Sequence, residues 1–387
     1  MVVEKNIPEG WIETTLGEVA TFQRGFDLPK SDRTFGEYPL MVSNGQDGTH
    51  KEFKVSGPGI VTGRSGSLGN VFYIKDDFWP LNTTLWIKNF HKNDIRFVYY
   101  FLIKFPFEKY NAGSGVPTLN RNHIHPLPVI IPPLPEQKAI ANVLTAFDDK
   151  IELLQAQNKT LETMAQTIFK EWFGKYQIGD ELPEGWTQHN FIDLVKHIKP
   201  GTNYQPKRVE NGIPFINGRH VKNGVIHFRD IKYITEEEYA RVHKSWKPEK
   251  NDILITRIGT LGNVGIIQKT DLPLALHYNS INIKEDKLTH QFLYFLLKSE
   301  YFQEQFHLNK KQSVQEFVTI EAVEQIRISI PSSEILEEKT KCFENILLKI
   351  LNNNSQIQSL TKTRDTLLPK LMSGQVRVKN IKQTADA

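Results

Sequence analysis

The sequence contains an internal duplication. The tetrapeptide Pro-Glu-Gly-Trp occurs at residues 8–11 and again at 183–186, and the pattern Arg-x-Gly-x-Leu-Gly-Asn-Val occurs at 64–71 and again at 257–264. A long helical pattern closes each half of the chain, near 136–173 and near 334–372. Since the three blocks keep their order, the chain is built from two copies of one unit. A repeat of this kind constrains the fold more than any single motif does.

Length and composition restrict the class of protein. A chain of 387 residues can form two or three domains, and its 39% hydrophobic and 24% charged residues are typical of folded proteins. The single cysteine, Cys342, excludes a disulfide framework and a multi-cysteine zinc site. No apolar run reaches the ~20 residues of a membrane helix, and residues 1–5 lack signal-peptide features. We therefore expect a cytoplasmic protein.

Each half should contain a globular α+β unit, at residues 1–133 and 178–331. Short β-rich runs, a helix and a proline-bounded exit strand are predicted in the same order in both. In the first unit the helix should begin after Asp94, a suitable N-cap. The predicted elements are strands at 59–62, 70–74, 84–87 and 128–132 with a helix at 94–110, and strands at 252–256, 264–267, 280–283 and 328–331 with a helix at 290–306.

The long helical patterns predict a coiled coil. From Ile140 to Trp172 the seam positions recur in alternating steps of four and three residues, and Asn158 is the one polar member. The second pattern aligns with the first without a gap from Lys339 to Leu371, and its seam includes Asn353. Each stripe of about 35 residues would be roughly 50–55 Å long as a helix. Packing the stripes on each other is the economical way to bury them; separate packing on the globular units is the alternative.

Local signals predict where these helices begin and end. Pro135 suits a first helical turn, and Ser332 or Ser333 can cap the second helix. Gly174 and Gly374 are natural terminators. Pro369 should end or kink the second helix.

Chain order favours an antiparallel arrangement of the two helices. Only residues 175–182 link the first helix to the second globular unit, and parallel helices would require a connection along the whole coil. An approximate two-fold axis would then cross the coil near its middle. We expect Asn158 and Asn353 to meet there and to fix the register through a hydrogen bond.

The repeated arginine turns are the best candidates for contact with nucleic acid. Arg64 and Arg257 occupy matching positions beside glycines, which allow a backbone to approach a phosphate closely. Arginine also pairs with guanine, and asparagine with adenine. A structural hairpin with a buried arginine salt bridge is the other interpretation. The net charge of +4 permits nucleic-acid binding without requiring it. The candidate DNA-binding residues are Arg24, Lys30, Asn44, Arg64, Ser65, Ser67, Asn70, Asn120, Arg121, Lys207, Arg208, Asn217, Arg219, Arg257, Thr260, Asn263, Lys310 and Lys311.

No motif for catalysis or cofactor binding is recognisable. The chain has no phosphate-binding Gly-x-x-x-x-Gly-Lys-Ser/Thr loop, and the glycines at 63, 66 and 69 are spaced wrongly for a dinucleotide fingerprint. Asp47, Glu52 and Lys54 are too closely spaced for a metal nuclease cluster. We therefore predict no catalytic residue, no metal and no cofactor in this chain.

These features together resemble the specificity subunit of type I restriction-modification enzymes. The resemblance covers essentially the whole chain and depends on the order and duplication of its motifs. They include the run Ile-Pro-Pro-Leu-Pro-Glu-Gln at 131–137 and the helix ends at 168–173 and 367–374. The second copy departs from the family pattern at 330–335, where the proline-rich entry is missing.

The resemblance implies an α+β fold with two similar α/β target recognition domains. A long antiparallel two-helix coiled coil would separate them with pseudo-two-fold symmetry. The implied boundaries are 1–133 for the first domain, 134–177 for the central helix, 178–331 for the second domain, 332–377 for the C-terminal helix and 378–387 for a tail.

The resemblance also implies a role and partners. Each domain would read one half of a bipartite site in double-stranded DNA, and the helices would set the spacing and dock two modification (methyltransferase) subunits. Restriction (endonuclease and translocase) subunits would complete the assembly. S-adenosylmethionine, ATP and Mg²⁺ would bind those partners, and this chain would be non-catalytic but necessary. The alternatives are a coiled-coil interaction scaffold without sequence-specific DNA binding and an enzyme with an unrecognised site.

Overall fold

A computed structural model describes residues 7–176, 179–312 and 315–378. The N-terminal residues 1–5 and most of the predicted tail, 379–387, lie outside this part of the chain. The chain divides into two compact units, one formed by residues 1–152 with 358–387 and the other by 153–357. This division cuts both long helices, whereas we predicted boundaries at the helix starts. The boundary falls within the helices because one segment of each helix belongs to the first unit and the other segment belongs to the second.

The first unit contains a mixed lobe, residues 7–133, which we call the first lobe. Its elements alternate short strands with short helices. They are β1 (Ile12–Thr15), α1 (Leu16–Val19), β2 (Thr21–Arg24), a 3-10 helix (Lys30–Asp32), β3 (Tyr38–Val42), β4 (Gly45–His50), β5 (Gly59–Gly63), β6 (Val71–Ile74), β7 (Trp79–Pro80), β8 (Thr84–Asn89), α2 (Ile95–Lys104), a 3-10 helix (Phe107–Tyr110), α3 (Arg121–Ile124) and β9 (Pro128–Ile131).

The second unit contains the second lobe, residues 179–331. It repeats the plan of the first lobe with additional small elements. They are β10 (Thr187–Asn190), a 3-10 helix (Phe191–Leu194), β11 (Val195–Pro200), β12 (Arg208–Val209), β13 (Ile213–Ile216), a 3-10 helix (Gly218–His220), β14 (Val221–Lys222), β15 (Val225–Ile226), β16 (Lys232–Ile234), α5 (Glu236–Val242), β17 (Ile253–Thr256), β18 (Val264–Ile266), a 3-10 helix (Lys269–Asp271), β19 (Ala275–Leu276), β20 (Ser280–Glu285), α6 (His290–Lys298), α7 (Glu300–Leu308), α8 (Ile320–Glu324) and β21 (Arg327–Ile330).

The main sheet has the same topology in both lobes. The first lobe has a four-stranded antiparallel sheet in the order β2-β8-β5-β6, and the second lobe has one in the order β11-β20-β17-β18. In each lobe an entry strand pairs with an exit strand, β1 with β9 and β10 with β21. A parallel pair, β3 with β7 and β13 with β19, also recurs. The predicted α+β class and the predicted strands are therefore confirmed in both lobes.

Two predicted helices are wrong in extent. The helix predicted at 94–110 starts after Asp94 as expected, with the Asp94 carboxylate accepting a hydrogen bond from the Phe97 amide at 2.9 Å. It ends at Lys104, because Pro106 disfavours a helical backbone at the residue before it, and Phe105 is extended. The helix predicted at 290–306 is two helices, α6 and α7, since Ser299 adopts an extended conformation and caps the second one.

The Pro-Glu-Gly-Trp repeats form matching four-residue turns. The amide of Trp11 donates to the Pro8 carbonyl at 3.0 Å, and the equivalent pair in the second lobe has the same distance. Gly10 has a φ of 76°, the left-handed region that such a turn requires at its third position. The turn directs Trp11 to the start of the first long helix, where its indole Nε1 donates to Glu136 at 3.1 Å. The motif is thus a structural connector.

The long helices α4 (Leu134–Phe173) and α9 (Ser333–Met372) each have 40 residues. α4 ends directly before Gly174, and α9 ends two residues before Gly374, which adopts a left-handed φ of 70°. Pro369 does not itself end the helix, because α9 continues three residues beyond it to Met372. Proline removes one backbone donor, while burial of Leu368 and Leu371 on either side holds the segment in the core of the first unit.

Within the first unit, the start of α4 packs against the end of α9. Ile140 and Leu144 share a buried cluster with Leu368 and Leu371. The Asp148 carboxylate accepts from Arg364 Nη1 at 2.6 Å and from the Tyr100 hydroxyl at 2.5 Å. The contacts join an early position of one helix to a late position of the other.

Within the second unit, the end of α4 packs against the start of α9. The Phe169 and Phe343 rings lie 5.9 Å apart between centroids. Asn353 Nδ2 donates to Asn158 Oδ1 at 2.8 Å, and Asn158 Nδ2 donates to Asn354 Oδ1 at 2.9 Å. Asn354 is a buried neighbour that the seam pattern did not include, and its Nδ2 also contacts the carbonyl of Asn223 in the second lobe at 3.4 Å.

Candidate nucleic-acid interface

The duplicated arginine turns connect two antiparallel strands in each lobe, β5 to β6 and β17 to β18. Four glycines in these turns have left-handed φ values, 91° and 83° for Gly66 and Gly69, and 81° and 78° for Gly259 and Gly262. Residues with a Cβ rarely adopt this conformation, which explains why these glycine positions recur in both copies. The turns expose backbone and hydroxyl groups beside an arginine.

Backbone hydrogen bonds place both arginines in the same structural position. The Arg64 amide donates to the Thr83 carbonyl at 2.8 Å, and the Leu119 amide donates to the Arg64 carbonyl at 2.7 Å. In the second lobe the Arg257 amide donates to the Asn279 carbonyl at 2.9 Å, and the Val318 amide donates to the Arg257 carbonyl at 3.0 Å. Each turn is therefore held between the segment before β8 or β20 and the segment before α3 or α8.

The two arginine side chains are half-buried without a carboxylate partner. Arg64 Nε donates to the Asn82 carbonyl at 2.8 Å, and Arg257 Nε is buried without a hydrogen-bond partner. Burial lowers the pKa of both guanidinium groups, and the positive charge of Arg24 adds to the lowering for Arg64. Among the described residues neither arginine forms an ion pair within 4.0 Å, so the interpretation as a buried salt bridge does not describe either turn. A ligand that is anionic or accepts hydrogen bonds would offset the desolvation cost of either buried guanidinium.

The first lobe brings part of the predicted set together. Ser65 and Ser67 belong to the arginine turn, and Arg24 lies at the end of β2 near Arg64. Ser43 Oγ lies 3.6 Å from the position a Cβ would take on Gly66, so the following residue, Asn44, is close to the turn as well. These residues form one polar surface.

The other predicted residues of the first lobe have mixed positions. The Asn120 side chain caps α3 by accepting from the Asn122 amide at 3.0 Å, and Arg121 is exposed on that helix. Lys30 is exposed on a 3-10 helix. The Asn70 carbonyl closes the turn by accepting from the Gly63 amide at 3.3 Å, so the backbone of Asn70 has a structural role.

Several predicted residues of the second lobe are engaged within the lobe. Lys310 forms an ion pair with Glu316 at 2.9 Å. Arg219 donates from Nη2 to the Asp230 carbonyl at 3.0 Å. The Asn263 amide closes the turn by donating to Thr256 Oγ1 at 2.9 Å. These three have partners that a sequence pattern does not show.

The remaining predicted residues of the second lobe are accessible or lie next to the turn. Exposed side chains in the described part of this lobe include Lys207, Arg208, Thr260 and Lys311, while Asn217 is partly buried beside Gly218. Arg208 Nη2 donates to Gln205 Oε1 at 3.3 Å. Thr260 lies in the arginine turn itself, at the position that Ser67 has in the first lobe.

Comparison with known proteins identifies the family. The family model of the type I restriction modification DNA specificity domain matches this chain twice, at residues 8–163 and 183–362. The two matches cover most of the chain and coincide with its duplication. The chain belongs to the type I restriction-modification DNA specificity family.

Individual relatives agree with this family assignment. The chain is 27% identical to the type I restriction enzyme MjaIX specificity subunit of Methanocaldococcus jannaschii, over 78% of this chain and 74% of the relative. It is 25% identical to the MjaVIII specificity subunit of the same organism, over 97% and 95%. The crystal structure of a type I restriction-modification S subunit from M. genitalium has a similar fold, with a TM-score of 0.62 at 20% identity, covering 96% of this chain and 98% of that one.

Two further observations concern metal sites and membrane-spanning helices in the described part of the chain. In residues 7–176, 179–312 and 315–378, no group of three or more His, Cys, Asp or Glu side chains is arranged to hold a metal ion. In the same ranges, no helix combines the length and the apolar character that crossing a membrane requires.

Polar residues next to the arginine turns were missed by sequence reasoning. Asp27 and Asn82 in the first lobe contact each other near Arg64, and Gln205 and His277 in the second lobe lie 3.4 Å apart between their Nε2 atoms. The sequence did contain one signal, a glycine that follows the equivalent strand in both copies. Gly25 follows β2 and precedes Asp27 by two residues, and Gly201 follows β11 and precedes Gln205 by four.

Proposed function

We propose that this chain is the sequence-specific DNA-binding subunit of a type I restriction-modification complex and that each lobe reads one half of a bipartite site. One observation carries the proposal: both lobes present an arginine turn in the same backbone frame, with different side chains around it. A shared frame suits a shared ligand, double-stranded DNA, and different side chains suit different base sequences.

In this proposal, different residues of each lobe bind the phosphates and recognise the bases. A half-buried guanidinium beside turn hydroxyl groups suits a phosphate, which all DNA sequences offer. Neighbouring side chains then supply the sequence preference. The loss of binding with rising salt should therefore be similar for the two half-sites, while their base preferences should differ.

We propose that α4 and α9 form one antiparallel coiled coil with pseudo-two-fold symmetry that spaces the two lobes. Support comes from contacts within each unit. In the first unit Asp148 pairs with Arg364, and in the second unit Asn158 pairs with Asn353. As residue numbers rise along one helix, those of its partner fall. The Asn158–Asn353 bond lies in the seam and is proposed to fix the register.

The proposed domain boundaries follow from this role. They are 1–133 and 178–331 for the target recognition domains, 134–177 and 332–377 for the helices, and 378–387 for the tail. The coiled coil would dock two modification subunits, and restriction subunits would join them. S-adenosylmethionine, ATP and Mg²⁺ would bind to those partners, so this chain would contribute specificity and no catalytic group.

The test is to map methylated bases in DNA exposed to this chain together with modification subunits. We expect a bipartite pattern with a fixed gap. Exchanging residues 1–133 for the corresponding domain of another family member should change one half-site and leave the other unchanged. A change in both half-sites would contradict independent lobes. Gel shifts of the complex without any sequence preference at moderate salt would favour the scaffold alternative.

A further inference from the structure

The first lobe has a cleft beside its arginine turn, and the second lobe has the same two chain segments at the corresponding place. In the first lobe, the loop after β2 and the residues before β8 enclose a cleft of about 220 Å³. Phe26 and Leu81 form a parallel bridge at its base. In the second lobe Thr202 and His277 form the same bridge. The loop after β11 and the residues before β20 are therefore the structural equivalents.

Close backbone contact fixes the two segments in both lobes. A Cβ on Gly25 would lie 2.2 Å from the Leu81 carbonyl oxygen, and a Cβ on Gly201 would lie 2.3 Å from the Leu276 carbonyl oxygen. Any larger residue would force the segments apart. The backbone arrangement of the two segments is thus the same in both lobes, while their side chains differ.

The first cleft presents a carboxylate at its mouth. Asn82 Nδ2 donates to Asp27, and Arg24 Nη2 lies 3.6 Å from the Asp27 carboxylate. Asp27 is nevertheless 70% exposed, so part of its acceptor capacity faces outward. Arg33 forms the opposite wall, where its Nη1 pairs with Asp47 at 2.8 Å. Positive groups on both sides would let this carboxylate approach DNA despite the phosphate charge.

The corresponding segments of the second lobe present an amide, a guanidinium and an imidazole whose pKa burial lowers. Gln205 lies between Arg208, which donates to its Oε1 at 3.3 Å, and His277, 3.4 Å from its Nε2. The His277 ring is held against Tyr278 and Phe215, with centroids 4.5 Å and 5.7 Å away. Asn203 takes the position that Asp27 has in the first lobe.

We propose that the cleft of the first lobe and the corresponding segments of the second lobe read the base edges, with Asp27 determining specificity in the first lobe and Gln205 in the second. The inference rests on the proposed function and deepens it. A carboxylate accepts hydrogen bonds from the amino groups of cytosine or adenine and is repelled by the acceptor atoms of guanine and thymine. Gln205 can make a bidentate contact with adenine, and Arg208 can contact guanine. The arginine turns then hold the phosphates next to the bases that are read.

The test uses the full chain with modification subunits and a plasmid library in which both half-sites are randomised. We expect Asp27→Asn to relax or alter at least one base position of one half-site by about tenfold in methylation preference. Gln205→Glu should alter the other half-site to a similar extent. Glu52→Gln and Asp286→Asn change exposed carboxylates elsewhere in the first and second lobes, and should leave the whole pattern unchanged.

The outcomes separate this inference from the function on which it rests. A wild-type complex without a bipartite pattern would overturn the proposed function. A specific wild-type complex whose pattern survives both Asp27→Asn and Gln205→Glu would overturn the cleft assignment alone, as would one variant that alters both half-sites. A variant complex that no longer methylates DNA can still be tested by binding. The complex is then mixed with a pool of randomised DNA duplexes, the bound duplexes are sequenced, and each half-site is compared with that of the wild-type complex.

Discussion

Asn353 donates a hydrogen bond through Nδ2 to Oδ1 of Asn158, 2.8 Å away, on the facing helix of the second unit. Asn353 is fully buried, and Asn158 returns a bond to Asn354 at 2.9 Å. These bonds, together with the one from Asn354 Nδ2 to the Asn223 carbonyl, leave one polar atom of the three amides, Asn353 Oδ1, buried without a partner. A buried amide favours the one alignment that gives it partners, since any other alignment leaves it unsatisfied.

Replacing Asn353 with leucine should lower the free energy of unfolding by about 1 kcal/mol, because Asn158 Oδ1 loses its donor in a partly buried site. Urea unfolding of the full chain, followed by circular dichroism, measures the effect. Asn352→Leu changes the adjacent exposed position on the same helix and should stay within about 0.5 kcal/mol of the wild type. Equal effects of the two substitutions would remove the proposed register role.

Lengthening both long helices should widen the gap between the half-sites. Seven residues inserted after Gln155 and seven after Gln356 preserve the heptad pattern and lie opposite each other in an antiparallel pair. Seven residues add about 10 Å of helix, which equals about three base pairs of DNA. Methylation mapping of the variant complex gives the gap. An unchanged gap would rule out the helices as a spacer, and an insertion in one helix alone serves as the out-of-register control.

Adding a methyl group at Gly25 or Gly201 should destabilise the corresponding lobe. The new Cβ would lie 2.2 Å or 2.3 Å from a carbonyl oxygen of the neighbouring segment. Gly25→Ala and Gly201→Ala should each lower the free energy of unfolding by about 1–3 kcal/mol. Gly115→Ala is the control, because no atom lies within 4 Å of its added Cβ. Thermal unfolding of the three variants compares them, and unchanged midpoints for Gly25→Ala and Gly201→Ala would show that the segments can separate freely.

Stability of the second lobe should fall as the pH falls from about 6.5 to about 4. Burial lowers the pKa of His243 to about 4, and its Nε2 accepts from the Leu276 amide at 3.3 Å. Between these pH values the unfolded chain binds the proton more readily than the folded chain does, so acid favours unfolding. The difference corresponds to about 3 kcal/mol at most.

The comparison of wild type with His243→Gln isolates this histidine. The variant should show a shallower loss of stability in the same pH window, measured by thermal unfolding. Asp271 acts in the opposite direction, since burial raises its pKa to about 6, but it is present in both proteins. His123→Gln changes an exposed histidine and should keep the wild-type profile. Identical profiles for wild type and His243→Gln would contradict the assignment.

Local signals in the sequence predicted where individual helices and strands occur, but they did not predict where two of the helices end or break. Asp94 starts α2 because its side chain satisfies a free amide at the helix end. The end of that helix before Pro106 and the break at Ser299 were missed, because the apolar periodicity continues across both positions. Periodicity reports which face is buried and does not report where the backbone changes direction.

The neighbours of the arginine turns could not be predicted from spacing. Arg64 and Arg257 were found because they repeat within a motif. Asp27 meets Asn82 across 55 residues, and Gln205 meets His277 across 72, and neither pair repeats in the other half. The partners of Lys310 and Arg219 likewise became visible only in the folded lobe.

The sequence by itself predicted the duplication, eight of the strands in their order, the two long helices and the family. These properties depend on residues that are close along the chain or on motifs that occur twice. Only the tertiary structure decided which polar side chains share a cleft, which charges are already paired, and that Asn354 joins the asparagines of the seam. Such contacts arise when segments distant in sequence pack together, and a one-dimensional pattern carries no measure of that distance.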